Sequence, residues 1–203
     1  MAKIITIGHL VMASKEARDT VIKVFEDIVD YSSANEPGVT MYAITVPTHD
    51  DGTTIYMIEE YADKATSDAH IASQPVQKLI NLFTTEPVLA GAPTVYQLEP
   101  VYSFLKPEIT KVTDPHIIFA NIAHKAGGAE QSLTQWKEVI STLESDEQGA
   151  LAFALCKEEA DTDRLHTVEV YESKVEDSVA KTKDLGSSLV HVSLKMIGGF
   201  LHR

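Results

Sequence analysis

The chain has 203 residues, of which 44% are hydrophobic and 23% are charged, a balance typical of a globular protein with a buried core. Its formal net charge of −13 at pH 7 would repel phosphate groups, which argues against nucleic acid and anionic membrane surfaces as partners. No apolar run reaches the ~18 residues of a membrane span, and the N-terminal residues do not resemble a signal peptide. We therefore expect a cytoplasmic protein, with unconventional secretion left open.

The first half of the chain predicts the order β-α-β-β-α-β, which is the ferredoxin-like unit. Apolar residues fall at helical spacing between Ser14 and Tyr31, and Glu36-Pro-Gly marks a turn. Asp63 is a suitable N-cap for a second helix with a break near Pro75. The predicted strands are 4–12, 39–46, 53–61 and 94–101.

The second half predicts the same order after a proline-containing connector. Predicted strands at 116–123, 149–156 and 165–171 accompany a helix that carries Trp136 and Leu143 on its apolar face. A second helix is expected from about Lys174. A closing strand is expected within 187–203, interrupted at Gly198-Gly199.

The two halves also repeat in sequence. Residues 55–66 match residues 165–176 and align Glu59 with Glu169 and Tyr61 with Tyr171, while residues 36–44 match 147–155. The predicted organisation is a domain at 1–102, a linker at 103–115 and a degenerate second domain at 116–203. Because each ferredoxin-like sheet has helices on one face only, we expect the two uncovered faces to face each other.

The stretch from Tyr56 to Ser73 resembles a signature of the antibiotic biosynthesis monooxygenase (ABM) superfamily. A strand ends in Glu-x-aromatic, here Glu59 and Tyr61, and a helix carries Ala-His nine residues later, here His70. The resemblance covers residues 4–102 and, more weakly, 116–203. It implies an α+β fold of two tandem ferredoxin-like (βαββαβ) domains forming an intramolecular dimeric α/β barrel. Family members that are enzymes are typically cofactor-free oxygenases of electron-rich aromatic compounds, and many members have no established activity.

The catalytic candidates are His70 and Glu59. An unshifted histidine pKa lies near neutrality, so His70 could bind a substrate oxygen or take its proton from a position at the start of the second helix. Strand alternation puts Glu59 on an apolar face with Met57 and Tyr61, where a carboxylate would have a raised pKa. The alternatives are that His70 caps or packs locally, and that Glu59 is structural because both halves keep it.

The halves differ at two aligned positions. Ala180 stands where the first half has His70, and Asn121 aligns with Gly8. The haem-degrading branch of the family combines such an Asn with the helix His and a Trp, but the only Trp, Trp136, has a core-like position, so haem degradation is not expected. One working pocket in the first half is the simplest interpretation, with Asn121 available to orient an oxygen in a second pocket. The predicted substrate-binding residues are Gly8, Met57, Tyr61, Asn121, Glu169 and Tyr171, although the tyrosines also fit a core role.

The sequence contains no metal-binding His-x-x-x-His pair, no phosphate-binding glycine motif and no Gly-x-Ser-x-Gly elbow. Its single cysteine, Cys156, lies in an apolar run and is expected to be a buried structural thiol. We therefore expect no cofactor and no metal.

The predicted function is a monooxygenase that oxidises a small aromatic, polyketide or other lipophilic metabolite with dioxygen. The alternatives are a non-catalytic barrel that binds a hydrophobic molecule, and a structural partner in a larger assembly; a homodimer is left open.

Overall fold

A computed structural model describes residues 2–147, 149–173 and 185–203. The predicted strands are all present, and the second helix is divided in two near Pro75 as expected. The helix predicted from Lys174 and the aligned Ala180 lie outside the described residues. The strands are β1 Ile4–Val11, β2 Val39–Pro47, β3 Thr54–Tyr61, β4 Thr94–Leu105, β5 His116–Ala123, β6 Ala150–Glu158, β7 Asp161–Tyr171 and β8 Ser188–Phe200. The helices are α1 Lys15–Asn35, α2 Lys64–Ile71, α3 Gln74–Thr85 and α4 Gly128–Asp146, and a short 3-10 helix spans Pro107–Lys111.

The longest helix, α1, begins at a side-chain cap and has one buried stripe. The Ser14 hydroxyl accepts a hydrogen bond from the Ala17 amide at 3.1 Å, which satisfies one free N–H of the first turn. The buried stripe runs from Arg18 to Ser32 at helical spacing. Its last member, Ser32, is a fully buried polar residue at the C-terminal end of the helix.

The chain forms two compact units. The first comprises Met1–Gln97 with Met196–Arg203, and the second comprises Leu98–Lys195. In the first unit, β3 lies between β1 and β2 and is antiparallel to both. One face of this sheet packs against α1 and α3 through an apolar core of Leu10, Val21, Phe25, Ile28, Tyr42, Ile44, Ile55, Tyr61 and Leu79.

In the second unit, β5 lies between β7 and β8, and β6 pairs with β7 and with the second part of β4. The core under α4 centres on Trp136, which is fully buried and packs against Phe153. Cys156 is buried, as expected. The predicted α+β class with two tandem ferredoxin-like repeats is confirmed.

The strand β8 continues through Gly198-Gly199, where the sequence predicted an interruption. Its last residues belong to the first unit, in which β8 neighbours β2. Gly199 has φ of +100°, and a Cβ atom there would lie 1.9 Å from the Tyr42 carbonyl oxygen. The glycine therefore permits a close approach of two backbones instead of ending the strand.

None of the helices that the structure describes is long and apolar enough to span a bilayer.

Candidate functional site

His70 lies in the last turn of α2, so the prediction that it starts this helix is wrong. The helix begins at Lys64 because Asp63 is its N-cap and accepts a hydrogen bond from the Thr66 amide. Two turns later His70 points into the core of the first unit, where it is 2% exposed. It contacts the rings of Tyr42 and Tyr61, with centroid distances of 5.8 and 5.5 Å.

The Nδ1 atom of His70 forms hydrogen bonds with residues at the C-terminal end of α1. It lies 2.8 Å from Glu36 Oε2 and 3.4 Å from the Ser32 hydroxyl. Because a carboxylate can only accept, the imidazole donates from Nδ1 to Glu36. The Ser32 hydroxyl donates to the same Glu36 oxygen at 2.6 Å. Glu36 is the C-cap of α1, so the end of one helix orients the imidazole carried by another.

The other ring nitrogen of His70 faces a second carboxylate. His70 Nε2 lies 3.6 Å from Glu59 Oε1, an ion-pair distance that is long for a hydrogen bond. Tyr61 donates its hydroxyl hydrogen to Glu59 Oε2. Tyr42, directly opposite Glu59 on β2, also hydrogen-bonds to it. We call Ser32, Glu36, Tyr42, Glu59, Tyr61 and His70 the His70 cluster.

The pKa values in this cluster follow from burial and from the two carboxylates. Burial alone would lower the pKa of His70, but the hydrogen bonds and charges of Glu59 and Glu36 overcome it, and the pKa is raised. Burial and the neighbouring charge of Glu59 raise the pKa values of Tyr42 and Tyr61 well above their usual range. The tyrosines are therefore neutral donors, and the imidazole is held protonated to a higher pH than a free histidine.

Two further predicted residues, Met57 and Gly8, lie on the same helix-covered face of the sheet as Glu59. Gly8 is directly opposite Met57 in the β1–β3 pair. A Cβ atom at Gly8 would lie 3.3 Å from the terminal methyl carbon of Met57, so this methyl fills the space that the glycine leaves. Met57 is half-buried, packs against the apolar core of the first unit and has a flexible side chain.

The second unit keeps part of this arrangement. Glu169 is 2% exposed and accepts hydrogen bonds from Tyr171 at 2.7 Å and from Thr167 at 2.9 Å. Burial raises the pKa of Glu169, although both hydrogen bonds oppose this. The Glu-x-Tyr hydrogen bond is therefore common to both units, whereas the imidazole between two carboxylates is described only in the first.

The predicted alignment of Asn121 with Gly8 is wrong by one residue. Ile4 is paired with Tyr61, and His116 is paired with Tyr171, so Gly8 corresponds to Ala120 and Asn121 to His9. A shift of one residue moves a side chain to the opposite face of a strand. Asn121 lies directly opposite His166, on the face away from Glu169, and is not brought together with the other predicted residues.

The sequence reasoning missed Ser32, Glu36 and Tyr42. A signal existed for Ser32, because it is a polar residue on the apolar stripe of α1. Glu36 was interpreted only as part of a turn, although it is four residues from Ser32 and therefore on the same side of the helix end. Among the described residues, no group of three or more His, Cys, Asp or Glu side chains could hold a metal ion.

A surface groove of about 390 Å³ lies in the second unit, beside the short 3-10 helix, and is separate from the His70 cluster of the first unit. Its lining includes Glu108, Lys111 and Asp114. It contains none of the predicted site residues.

Comparison with known proteins shows the family to which the chain belongs. The family model described as antibiotic biosynthesis monooxygenase matches residues 4–82 and 115–179, which is more than half of the chain. A search of curated proteins finds no significant match.

Solved structures with the same fold span both repeats. A proposed monooxygenase from Fusobacterium nucleatum superposes with a TM-score of 0.81 at 17% identity and covers 100% of this chain and 97% of its own. A proposed monooxygenase from Lactobacillus acidophilus has a TM-score of 0.75 at 18% identity, with 100% of both chains covered. An anthrone oxidase-like protein has a TM-score of 0.66 at 10% identity and covers 98% and 92% of the two chains. At these identities the superpositions concern the fold, and the matched family model identifies the chain as a member of the antibiotic biosynthesis monooxygenase family.

Proposed function

We propose that the protein is a cofactor-independent monooxygenase that oxidises a small, electron-rich aromatic or polyketide-like substrate with dioxygen. The observation that supports this most is the buried chain of ionisable groups from the Glu59 carboxylate through the His70 imidazole to the Glu36 carboxylate. Such groups are needed to remove a proton from a phenol or enol, and the surrounding apolar core keeps water away. Family membership supports an oxygenase-type activity.

The reaction that fits this site consumes one dioxygen per substrate. A base removes a proton from the substrate, and the resulting enolate transfers one electron to dioxygen. The substrate radical and superoxide then combine to a peroxide, which takes back the proton. Loss of water from the hydroperoxide forms a new carbonyl group, so an anthrone and dioxygen give a quinone and water. The substrate supplies all the electrons, and no external reductant is required.

The residues divide into a base and its support. Glu59 is two residues from Met57 on the helix-covered face and accepts the substrate proton. His70, held protonated by both carboxylates, stabilises the charge of Glu59 and exchanges its Nδ1 proton with Glu36. Glu36 has the more exposed side chain of the two carboxylates, at 13% against 5% for Glu59, and provides the route for protons to solvent. Movement of the Met57 side chain away from Gly8 admits an apolar substrate.

A ligand-binding protein without catalysis is the second candidate, and one observation favours it. In the first unit the Glu59 carboxylate already has hydrogen-bond partners, and the equivalent Glu169 of the second unit has the same tyrosine partner. A carboxylate whose hydrogen bonds are satisfied internally is also what a structural role requires. On this reading the Glu-x-Tyr pair stabilises each sheet.

Oxygen uptake separates the two candidates. Purified protein, checked for bound metal and flavin, is incubated with a panel of anthrones and phenols in an oxygen electrode. We expect saturable uptake with one dioxygen consumed per quinone formed. Binding of the same compounds, measured by thermal shift, without uptake above the protein-free rate would favour the binding protein. A stoichiometric flavin in the purified protein would contradict the cofactor-free mechanism.

A further inference from the structure

The C-terminal end of α1 is bound by an arginine from the far end of the sequence. The Arg203 guanidinium donates to the carbonyl oxygens of Ser32 at 2.7 Å, Ser33 at 2.6 Å and Glu36 at 2.5 Å. It also donates to the Val39 carbonyl at 2.8 Å. The Ser32 and Glu36 carbonyl oxygens also accept backbone hydrogen bonds, from the Glu36 and Val39 N–H groups at 3.0 Å, so Arg203 gives each of them a second donor. These oxygens lie at the negative end of the helix dipole, and a planar cation with several donors can bind them together.

Arg203 is itself held in place within the first unit. Its Cζ atom lies over the Phe200 ring, 4.4 Å from the ring centre. At this distance the positive guanidinium is attracted to the aromatic face in a cation–π contact. Phe200 ends β8 and packs against the first unit's core. The guanidinium therefore has a fixed position relative to α1.

The residues that Arg203 binds through their backbones are those that hold His70 through their side chains. Ser32 and Glu36 offer carbonyl oxygens to Arg203, while the Ser32 hydroxyl and the Glu36 carboxylate contact His70 Nδ1. Helix ends fray, and without Arg203 the Ser32 and Glu36 carbonyl oxygens would each keep only the backbone hydrogen bond that they already accept. Such fraying would move the Glu36 carboxylate away from the imidazole.

We propose that Arg203 is a positioning residue for the Glu36–His70 pair: it fixes the end of α1 so that the carboxylate meets Nδ1. The functional consequence rests on the proposed oxygenase function of the His70 cluster, whereas the effect on His70 itself does not. Residues near the end of the second repeat thus complete a site whose ionisable side chains all come from the first.

The second unit contains a natural control. Lys106 follows β4 and donates from Nζ to the carbonyl oxygen of Glu147 at 3.0 Å. Glu147 is the C-cap of α4, as Glu36 is of α1, and Lys106 also lies over an aromatic ring, that of Phe104. Both cations thus bind a helix C-terminus, but only Arg203 binds the one that carries the His70 partners.

The test compares Arg203→Ala, Arg203→Lys and Lys106→Ala by NMR titration of the His70 imidazole in isotope-labelled full-length protein. For Arg203→Ala we expect the His70 pKa to fall by about one unit, because displacing a neighbouring opposite charge has effects of that order and outweighs the opposite effect of losing the Arg203 charge, which Arg203→Lys retains. The Nδ1 proton signal should also exchange faster with solvent. Arg203→Lys keeps the charge with fewer oriented donors and should restore part of the shift. Lys106→Ala should leave both signals of His70 unchanged.

Arg203 is exposed, so its replacement leaves the core intact, and circular dichroism checks that each variant is folded. An unchanged His70 titration in folded Arg203→Ala would overturn the proposal, and so would an equal shift in Lys106→Ala. The result is separable from the proposed function. A His70 shift in a protein without oxygen uptake leaves Arg203 as a positioning residue and removes the oxygenase. Uptake with no His70 shift removes only the role of Arg203.

Discussion

Replacing Glu36 by Gln tests how much the charge of Glu36 raises the pKa of His70. The change keeps the size of the side chain and removes the charge that lies 2.8 Å from His70 Nδ1. A hydrogen bond to a charged group is worth about 1.5–3 kcal/mol. Since one pKa unit corresponds to about 1.36 kcal/mol, the pKa of His70 should fall by about one to two units. Glu59, the larger of the two causes that raise the pKa, stays in place, so the expected result is a lowered His70 pKa with the remaining rise due to Glu59.

The same substitution should change how stability depends on pH. In the native protein the folded pKa of His70 lies above 6.5, so its contribution to stability is complete below that value and is lost as the pH rises through the raised pKa. In Glu36→Gln the folded pKa is less raised. The stability that protonated His70 contributes at low pH is therefore smaller, and it is lost at a lower pH than in the native protein.

The assay is an NMR titration of His70, combined with urea unfolding at acidic and alkaline pH. Glu147→Gln is the matched control, because Glu147 caps the equivalent helix of the second unit. A His70 pKa that does not fall in Glu36→Gln would refute the electrostatic reasoning. An equal fall in Glu147→Gln would show that the effect is not local.

Two further pairs of variants test the fold around the site. Gly199→Ala should destabilise the protein by more than about 2 kcal/mol, since left-handed strain alone costs about 1–3 kcal/mol and the new Cβ would collide with the Tyr42 carbonyl. Gly198→Ala, whose Cβ would make an ordinary contact with Ile44, should cost much less; equal midpoints in urea would contradict this. Tyr171→Phe should cost about 1.5–3 kcal/mol and more than Tyr61→Phe, because Glu59 keeps Tyr42 and His70 as partners while Glu169 keeps Thr167. A larger loss for Tyr61→Phe in the same unfolding assay would contradict the assignment of these partners.

Much of the fold could be predicted from local patterns. Apolar spacing in α1, the Asp63 cap and the strand alternation that puts Glu59 and Tyr61 on one face depend on neighbouring residues and appear in the structure as expected. The predicted alignment of β1 with β5 was wrong by one residue. Both strands begin with similar apolar residues, Ile4-Ile and Ile117-Ile, so their sequences match almost equally well when one is shifted by a residue. Only the pairing with β3 and β7 separates Gly8 from Asn121.

The site itself depends on contacts between distant parts of the chain. His70 was found because the Glu-x-aromatic and Ala-His pattern is local, but its partner Glu36 is 34 residues away and is brought to it by the end of α1. Arg203 is 167 residues from Glu36 and belongs to the other repeat. No periodicity or motif connects such residues, so their association could not be read from the sequence.

The central claim is that the His70 cluster performs the chemistry, and the most direct test is the turnover of His70→Ala with an accepted anthrone or phenol. General acid–base groups contribute about 10²- to 10⁴-fold to rate, so we expect kcat to fall by at least about 10²-fold in the folded variant. His191→Ala, which removes an exposed histidine from β8, should keep the native rate. A folded His70→Ala protein with native kcat would contradict the account.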